Sequence, residues 1–218
     1  MALALRLRDD FVPEMTSLSQ LSVRFESNPL AMARLQGKSI EEMTHRFSRG
    51  HRAYVGLWNG EPVAWGWVAT AEAEIGELRI NFAIPDGERY LWNFVTLASH
   101  RGLGIYPRLL NEIVRAESRE AERFWIAYAP ENRASGSGIR KAGFVTVAEL
   151  SFDASGRPAV QVVSPDEVAA ARMFGLPQAT DLSACWKCGR ASSETEKSCG
   201  TGKSCCCDYQ RPEVTCAA

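Results

Sequence analysis

The sequence predicts a mixed α/β domain built on one central sheet. Three observations predict it. Two aromatic and β-branched runs flank Asn59-Gly60, the mark of a tight β-hairpin. Further strand-like runs alternate with amphipathic helical stretches down to about residue 163. The composition is that of a globular protein, with 218 residues of which 45% are apolar and 23% charged. That length suits one domain of ordinary size with something added.

The elements follow in order. Residues 10 to 50 read as mostly helical, because Leu18, Leu21 and Phe25 have helical spacing. Ser39 and Glu42 form a capping-box pair that opens a short helix ending near Arg49-Gly50. The hairpin covers residues 53 to 69, and Asn59-Gly60 tolerates the positive φ its turn demands. A third strand spans residues 77 to 84 and closes at Pro85-Asp86-Gly87. A fourth, residues 90 to 97, is apolar on both faces, as a central strand would be. From Pro107 to about residue 122, Leu109, Leu110, Ile113 and Val114 share one side of a helix. Residues 123 to 129 make a fifth strand. A second helix, about 134 to 141, ends at Gly143. Residues 144 to 152 and 159 to 163 pair around a turn at 154 to 156. Ser164 and Glu167 form another capping box, opening a helix to about Phe174. No internal repeat is present.

All seven cysteines lie at or beyond residue 185. This divides the chain into a folded domain over residues 1 to 174, a linker over 175 to 184, and a cysteine-rich tail over 185 to 218. A secreted disulfide scaffold would spread its cysteines through the fold. Cys185 and Cys188 bracket a tight turn, as in a zinc knuckle. With Cys199 and one of Cys205, Cys206 and Cys207 they could supply four thiolates to tetrahedral zinc; Cys216 is left over. Adjacent cysteines also suit Cu(I), an iron–sulfur cluster or redox chemistry. The small polar residues between them suit a disordered or partner-binding tail.

Other classes are excluded. The formal net charge is −1, so no nucleic-acid or membrane-surface partner is expected. No apolar run approaches the roughly 18 residues of a membrane span. The first residues meet charge at Arg6 and lack a leader's apolar core, so a cytoplasmic protein is expected.

One stretch suggests chemistry. Residues 100 to 110, HRGLGIYPRLL, join a buried strand to an amphipathic helix. A helix N-terminus leaves backbone amides unpaired at the positive end of its dipole, where a phosphate can sit. Glycines let the anion reach the backbone. A P-loop would need a Gly-Lys-Ser/Thr ending, which is missing, and a dinucleotide fingerprint would need a glycine where Pro107 stands. Pro107 clashes with helix already running at Leu103, so regular helix starts at about Gly104 or later.

Arg101-Gly102-Leu103-Gly104-Ile105-Tyr106 resembles the acetyl-CoA motif of the GCN5-related N-acetyltransferases (GNAT), Gln/Arg-x-x-Gly-x-Gly/Ala. Tyr106 departs from its final small residue. The setting matches too: a fourth strand before the motif, a long helix after it, then a fifth strand, Asn132, and a short helix closing in Gly143-Phe144. The resemblance covers about residues 10 to 163. It implies a mixed, mostly antiparallel central sheet flanked by helices. It implies acetyl-CoA as co-substrate, with its pyrophosphate on the amides of Gly102, Leu103, Gly104, Ile105 and Tyr106 behind Arg101. Backbone groups near Thr96 and Leu97 would hold the pantetheine arm and polarise the thioester. Asn132 and Ser135 would lie along that arm. The partner would be an amine, on a small molecule or a protein, and a homodimer is compatible with this reading.

The chemistry is less legible. The family often places a tyrosine acid four residues before the glycine of Gly-Phe, where this chain has Ile139. Tyr128 and Tyr106 are the substitutes as catalytic acid, although each also suits a core position. The family's fourth-strand carboxylate is missing among Trp92, Asn93 and Thr96. Glu74, Glu77 and His100 are near in sequence, and each reads more simply as a surface residue. Trp58, Trp65, Trp67, Trp92 and Trp125 fall on strands and suit core packing or an aromatic acceptor pocket. Two functions follow: an N-acetyltransferase with a possible zinc tail, or a binding module of the same fold that has lost catalysis and uses its tail for metal, modification or a partner.

Overall fold

The computed structural model describes residues 1–163 and, beyond them, residues 172, 174–179, 182 and 186. The cysteine tail with Cys185, Cys188, Cys199, Cys205, Cys206 and Cys207 lies outside the described residues, as does most of the helix expected over 164 to 174.

The chain opens with a strand, β1 (Ala2–Leu7), whose Ala-Leu-Ala-Leu is buried. This element is absent from the sequence reading. It is followed by β2 (Leu21–Glu26), where helix was expected. Leu18, Leu21 and Phe25 have helical spacing, but Leu21, Val23 and Phe25 also alternate with period two. Pairing with the next strand, Val23 opposite Gly56 and Phe25 opposite Tyr54, decides for the strand.

Helix α1 (Pro29–Gln36) starts at Asn28, whose side chain accepts from the amides of Leu30 and Ala31, and stops at left-handed Gly37. Helix α2 (Ile40–Ser48) is capped by Ser39 Oγ, which accepts from the Glu42 amide at 3.1 Å. The Glu42 carboxylate takes Arg46 at 2.7 Å and Lys38 at 3.7 Å. The hairpin β3 (His51–Trp58) and β4 (Glu61–Ala69) turns at Asn59 and Gly60, with φ of 51° and 88°.

The single strand expected over 77 to 84 is instead a small separate hairpin, β5 (Glu72–Ile75) and β6 (Ile80–Ala83). A 3₁₀ turn at Gly76–Leu78 and left-handed Arg79 separate its arms. Next come β7 (Glu88–Thr96), α3 (Ile105–Glu117), β8 (Arg123–Tyr128), α4 (Arg133–Lys141), β9 (Val145–Phe152) and β10 (Pro158–Val162). Part of the expected linker is also bound to the domain: Val160 donates to the Pro177 carbonyl, and the Ala179 amide donates to Val160.

The main sheet has eight strands in the order β10-β9-β1-β8-β7-β4-β3-β2. Every neighbouring pair is antiparallel except β7 and β8. It is the mixed, mostly antiparallel sheet flanked by helices that the sequence predicts. On one face α3 and α4 bury Leu109, Leu110, Ile113 and Ile139 against Leu91, Phe124 and Ile126. Each such side chain stabilises the fold by about 1.5–3 kcal/mol. On the other face α1 and α2 cover Trp65 and Trp67, while the β5–β6 hairpin and Phe174 cover Tyr90 and Trp125.

The far end of α3 is tied to the sheet. Glu117, 1% exposed, accepts from Arg52 Nη1 at 2.8 Å, Arg89 Nε at 2.9 Å and the Tyr54 hydroxyl at 2.6 Å. Three donors on one carboxylate compensate its burial. They also fix the tilt of α3, and so where its N-terminus points.

Candidate active site

The one parallel strand pair among the described residues, β7 and β8, is also where the main sheet opens. Strands β7 and β8 are in register from Glu88 opposite Arg123 to Leu91 opposite Ile126, and no further. Beyond that point they part, and a cavity of about 730 Å³ fills the gap between residues 92 to 96, 126 to 129, the start of α3 and α4.

A bulge shapes the β7 wall. Trp67 faces Trp92 and Trp65 faces Val95, so Asn93 and Phe94 together stand opposite Gly66. Asn93 takes a φ of 52°, which asparagine tolerates better than most residues. The Phe94 ring lies over Gly66, and a Cβ there would stand 2.0 Å from it.

Past the bulge, the Leu97 amide donates to the Val63 carbonyl at 2.8 Å. Leu97 is therefore bonded to β4 and offers no amide to the cavity, which corrects the expectation for that residue. Strand alternation turns the neighbouring Thr96 peptide groups the other way, into the cleft. The Thr96 carbonyl accepts from Arg101 Nε at 3.1 Å, leaving its N–H as the available group.

The glycine stretch lies where the sequence places it. Gly102 and Gly104 have φ of 82° and 73°, and α3 begins at Ile105 with Pro107 in its first turn. No side chain caps this helix and no acidic residue lies in its first turn. The amides of Gly102, Leu103, Gly104, Ile105 and Tyr106 find no acceptor among the described residues. They form a row of donors at the positive end of the helix dipole, beside the cavity. Arg108 braces the row, donating from Nη1 to the Gly104 carbonyl at 2.8 Å and from Nη2 to the Thr16 carbonyl.

Two tyrosines and two glycines build the α4 side. The Tyr106 ring presses on Gly138, where a Cβ would be 2.4 Å away, and the Tyr128 ring presses on Gly136 at 2.8 Å. Glycine costs about 1 kcal/mol in a helix relative to alanine, and here it makes room for the rings. Burial pushes the Tyr106 hydroxyl up to about 12, with a hydrogen bond to Ser135 pulling the other way. The Tyr128 hydroxyl lies 3.1 Å from Thr146 Oγ1. Asn132 Oδ1 caps α4 by accepting from the Ser135 amide at 3.0 Å, and both residues line the cavity.

Ile139 is 1% exposed in the core beneath α3 and α4. It does not face the cavity, so its identity does not bear on whether an acid is present there. His100 lines the cavity with its Nδ1 2.9 Å from Ser99 Oγ. Glu74 and Glu77 are exposed and lie outside the lining. No aspartate or glutamate is among the described residues that line the cavity. Of the tryptophans, Trp92 lines it, while Trp65, Trp67 and Trp125 are buried. Arg108, Phe94 and Gly66 were not singled out in the sequence. For α4, the paired glycines in Ser135-Gly136-Ser137-Gly138 were the available signal. Among the described residues there is no cluster able to hold a metal, and no helix is long and apolar enough to cross a membrane.

Comparison with known proteins adds to this geometry. The profile of the acetyltransferase (GNAT) family matches residues 13–144. A comparison with curated proteins found no match. Similar solved structures include a GCN5-related N-acetyltransferase from Kribbella flavida, 17% identical with a TM-score of 0.45. That match covers 66% of this chain and 53% of the other, so this chain spans about half of that relative. Another is the acetyltransferase that modifies the N-terminal serine of a 50S ribosomal subunit protein from Salmonella typhimurium, at 18% identity and 0.46 over 63% and 87% of the two chains. A third is an aminoglycoside acetyltransferase in complex with coenzyme A and kanamycin, at 16% and 0.46 over 66% and 95%.

Proposed function

Because the chain belongs to the acetyltransferase (GNAT) family, we propose that it transfers the acetyl group of acetyl-CoA to an amine by direct attack. The observation that carries this reading is the row of unpaired amides from Gly102 to Tyr106, opening onto the cleft where β7 and β8 part. Those amides suit a pyrophosphate, and Gly102 and Gly104 keep side chains out of its way. The Thr96 N–H and the bulged edge of β7 suit an extended amide-bearing chain such as pantetheine, which would pair with them as an added strand does.

In the reaction the amine nitrogen bonds to the thioester carbonyl carbon. The carbon–sulfur bond then breaks, and the thiolate takes up a proton. Tyr106 and Tyr128 both line the cavity and are the two hydroxyls that could give that proton, although burial, by raising the Tyr106 pKa, makes that hydroxyl a weaker acid. The two rings press on different glycines of α4, Tyr106 on Gly138 and Tyr128 on Gly136. No carboxylate stands among the described lining residues to take the amine's proton, which leaves it to solvent or to the imidazole of His100.

Titration calorimetry with acetyl-CoA tests the first step, and mass detection of an acetylated amine tests the second. Gly104→Leu should abolish binding, because the backbone there is left-handed and the side chain would meet Arg108. Unchanged affinity in that variant would displace the pyrophosphate from α3. Zinc in the tail rests on the spacing of Cys185 and Cys188 with the cysteines after them. Elemental analysis of protein purified without chelator tests it, and less than about a tenth of a zinc per chain would reject it.

A further inference from the structure

The end of the cavity away from the α3 amides is the fork where β7 and β8 last pair, at Leu91 and Ile126. Its walls there are apolar, with Trp92 and Phe94 on β7 and Ile126 and Ala127 on β8. One polar side chain stands among them. Asn93 lines the cavity, is exposed, and has no side-chain hydrogen bond among the described residues. Other polar lining groups are already engaged, His100 with Ser99, Tyr128 with Thr146 and Asn132 with the Ser135 amide. Asn93 also holds the left-handed φ of 52° at the bulge. Glycine takes such a φ without steric cost, so a bulge that needed only its backbone would be served by glycine. A side chain kept in a costly conformation, unpaired, at the mouth of a fork points to a ligand contact.

The titratable and charged side chains around this space are cationic or neutral. His100, Arg101, Tyr106, Tyr128 and Lys141 line the cavity, and no carboxylate is among its described lining. Behind Trp92 the Arg46 guanidinium, paired with Glu42, lies 4.7 Å from the ring centre and 5.1 Å from that of Trp67, and His51 meets Trp92 edge-on at 5.1 Å. A carboxylate at the fork would hold an amine as its ammonium ion, which has no lone pair to attack with. The carboxamide oxygen of Asn93 accepts an N–H without adding a full negative charge. The apolar walls and the surrounding cations disfavour the ammonium form further. The corner therefore suits an amine in its neutral, nucleophilic state. A second ammonium on the same molecule would find no counter-charge there.

We propose that the side-chain oxygen of Asn93 accepts a hydrogen bond from the acceptor nitrogen, and that the substrate class is a primary amine on an apolar body with no second cation. This rests on the acetyl-transfer reading. The nitrogen lone pair forms the bond to the acetyl carbon, the C–S bond breaks, and coenzyme A leaves as the thiol. One proton lost from nitrogen balances the one gained by sulfur, and the product is an N-alkylacetamide. Asn93 holds the nitrogen at the fork, where the bulge of β7 brings the acetyl group alongside.

Benzylamine and 1,4-diaminobutane are offered with acetyl-CoA to the full chain, and the acetylated amine is detected by mass. Benzylamine should exceed the diamine in kcat/KM by about tenfold or more. Asn93→Gly keeps the left-handed backbone, so its melting temperature and its acetyl-CoA affinity should match the parent's, while kcat/KM for benzylamine falls about tenfold. Asn93→Asp should move the rise of kcat with pH to higher pH, because a carboxylate raises the pKa of the bound amine. An unchanged kcat/KM in Asn93→Gly, or an unshifted profile in Asn93→Asp, overturns the seat. A lower melting temperature in Asn93→Gly makes the side chain a structural support and overturns it as well. A diamine used as well as benzylamine, or acetyl-CoA bound with neither amine acetylated, overturns the substrate class. Absence of acetyl-CoA binding in calorimetry overturns the transferase reading itself, and the seat falls with it.

Discussion

A methyl group at position 66 would stand 2.0 Å from the Phe94 ring, so Gly66 is fixed by an aromatic neighbour. Gly66→Ala should destabilise the protein by about 1–3 kcal/mol in denaturant unfolding, by forcing Phe94 and the bulge apart. A variant as stable as the parent would mean that the ring moves freely. His51 is the residue to follow with pH. Burial, with Arg49 and Arg46 close by, lowers its pKa from 6.5 to about 4. Between those values the unfolded chain binds the extra proton, so stability falls as pH drops from 6.5 toward 4. The melting temperature of His51→Gln should fall less over that range than the parent's; parallel curves would refute the assignment. For catalysis, Tyr106→Phe should lower kcat by about a hundredfold or more if its hydroxyl protonates the thiolate, with acetyl-CoA affinity unchanged in calorimetry. An unaffected kcat would move that role to Tyr128 or water.

Helix α3 turns its free amides toward the cavity, and its other end is held down by Glu117. Glu117→Gln would keep the shape but remove the buried charge that Arg52 and Arg89 face, leaving both guanidinium groups only the exposed carboxylate of Glu120. A loss of about 2–3 kcal/mol is expected in thermal or denaturant unfolding, since Glu120 still faces both arginines. A loss under 1 kcal/mol would show that solvent compensates this cluster. Elements with local signals were legible in the sequence: the Asn59-Gly60 hairpin, the Ser39 cap, the Gly143 stop, and the backbone motif at Gly102 and Gly104. The misread elements depend on distant partners. Leu21, Val23 and Phe25 fit either period until β3 pairs with them. The Ala-Leu-Ala-Leu of β1 becomes a strand through β8 and β9, far along the chain. The site divides in the same way. The unpaired amides from Gly102 to Tyr106 follow from residue type and order. The Phe94 ring over Gly66 and the stacking of Arg46 on two tryptophans are contacts between segments, and no single stretch encodes them.

Across the whole molecule, the sheet is two antiparallel parts meeting at the β7–β8 pair, and the cavity exists because that junction is short. The first strand belongs to the second part. Deleting residues 2 to 7 should therefore remove a central strand and not a dispensable end. The truncated chain should lose cooperative thermal unfolding and near-ultraviolet dichroism, whereas a chain that still melts sharply would show β8 and β9 closing without it.

The position of β1 also sets a timetable. It is made before its partners, since the residues it pairs with, such as Tyr128 for Ala2 and Glu149 on its other side, are synthesised on the order of a hundred residues later. Until then its apolar face has no sheet to join. At about 5–20 residues per second this leaves a nascent chain with an exposed sticky strand for roughly 6 to 30 seconds. Closure of the domain, and with it the cleft, must wait until nearly all of the domain has left the ribosome.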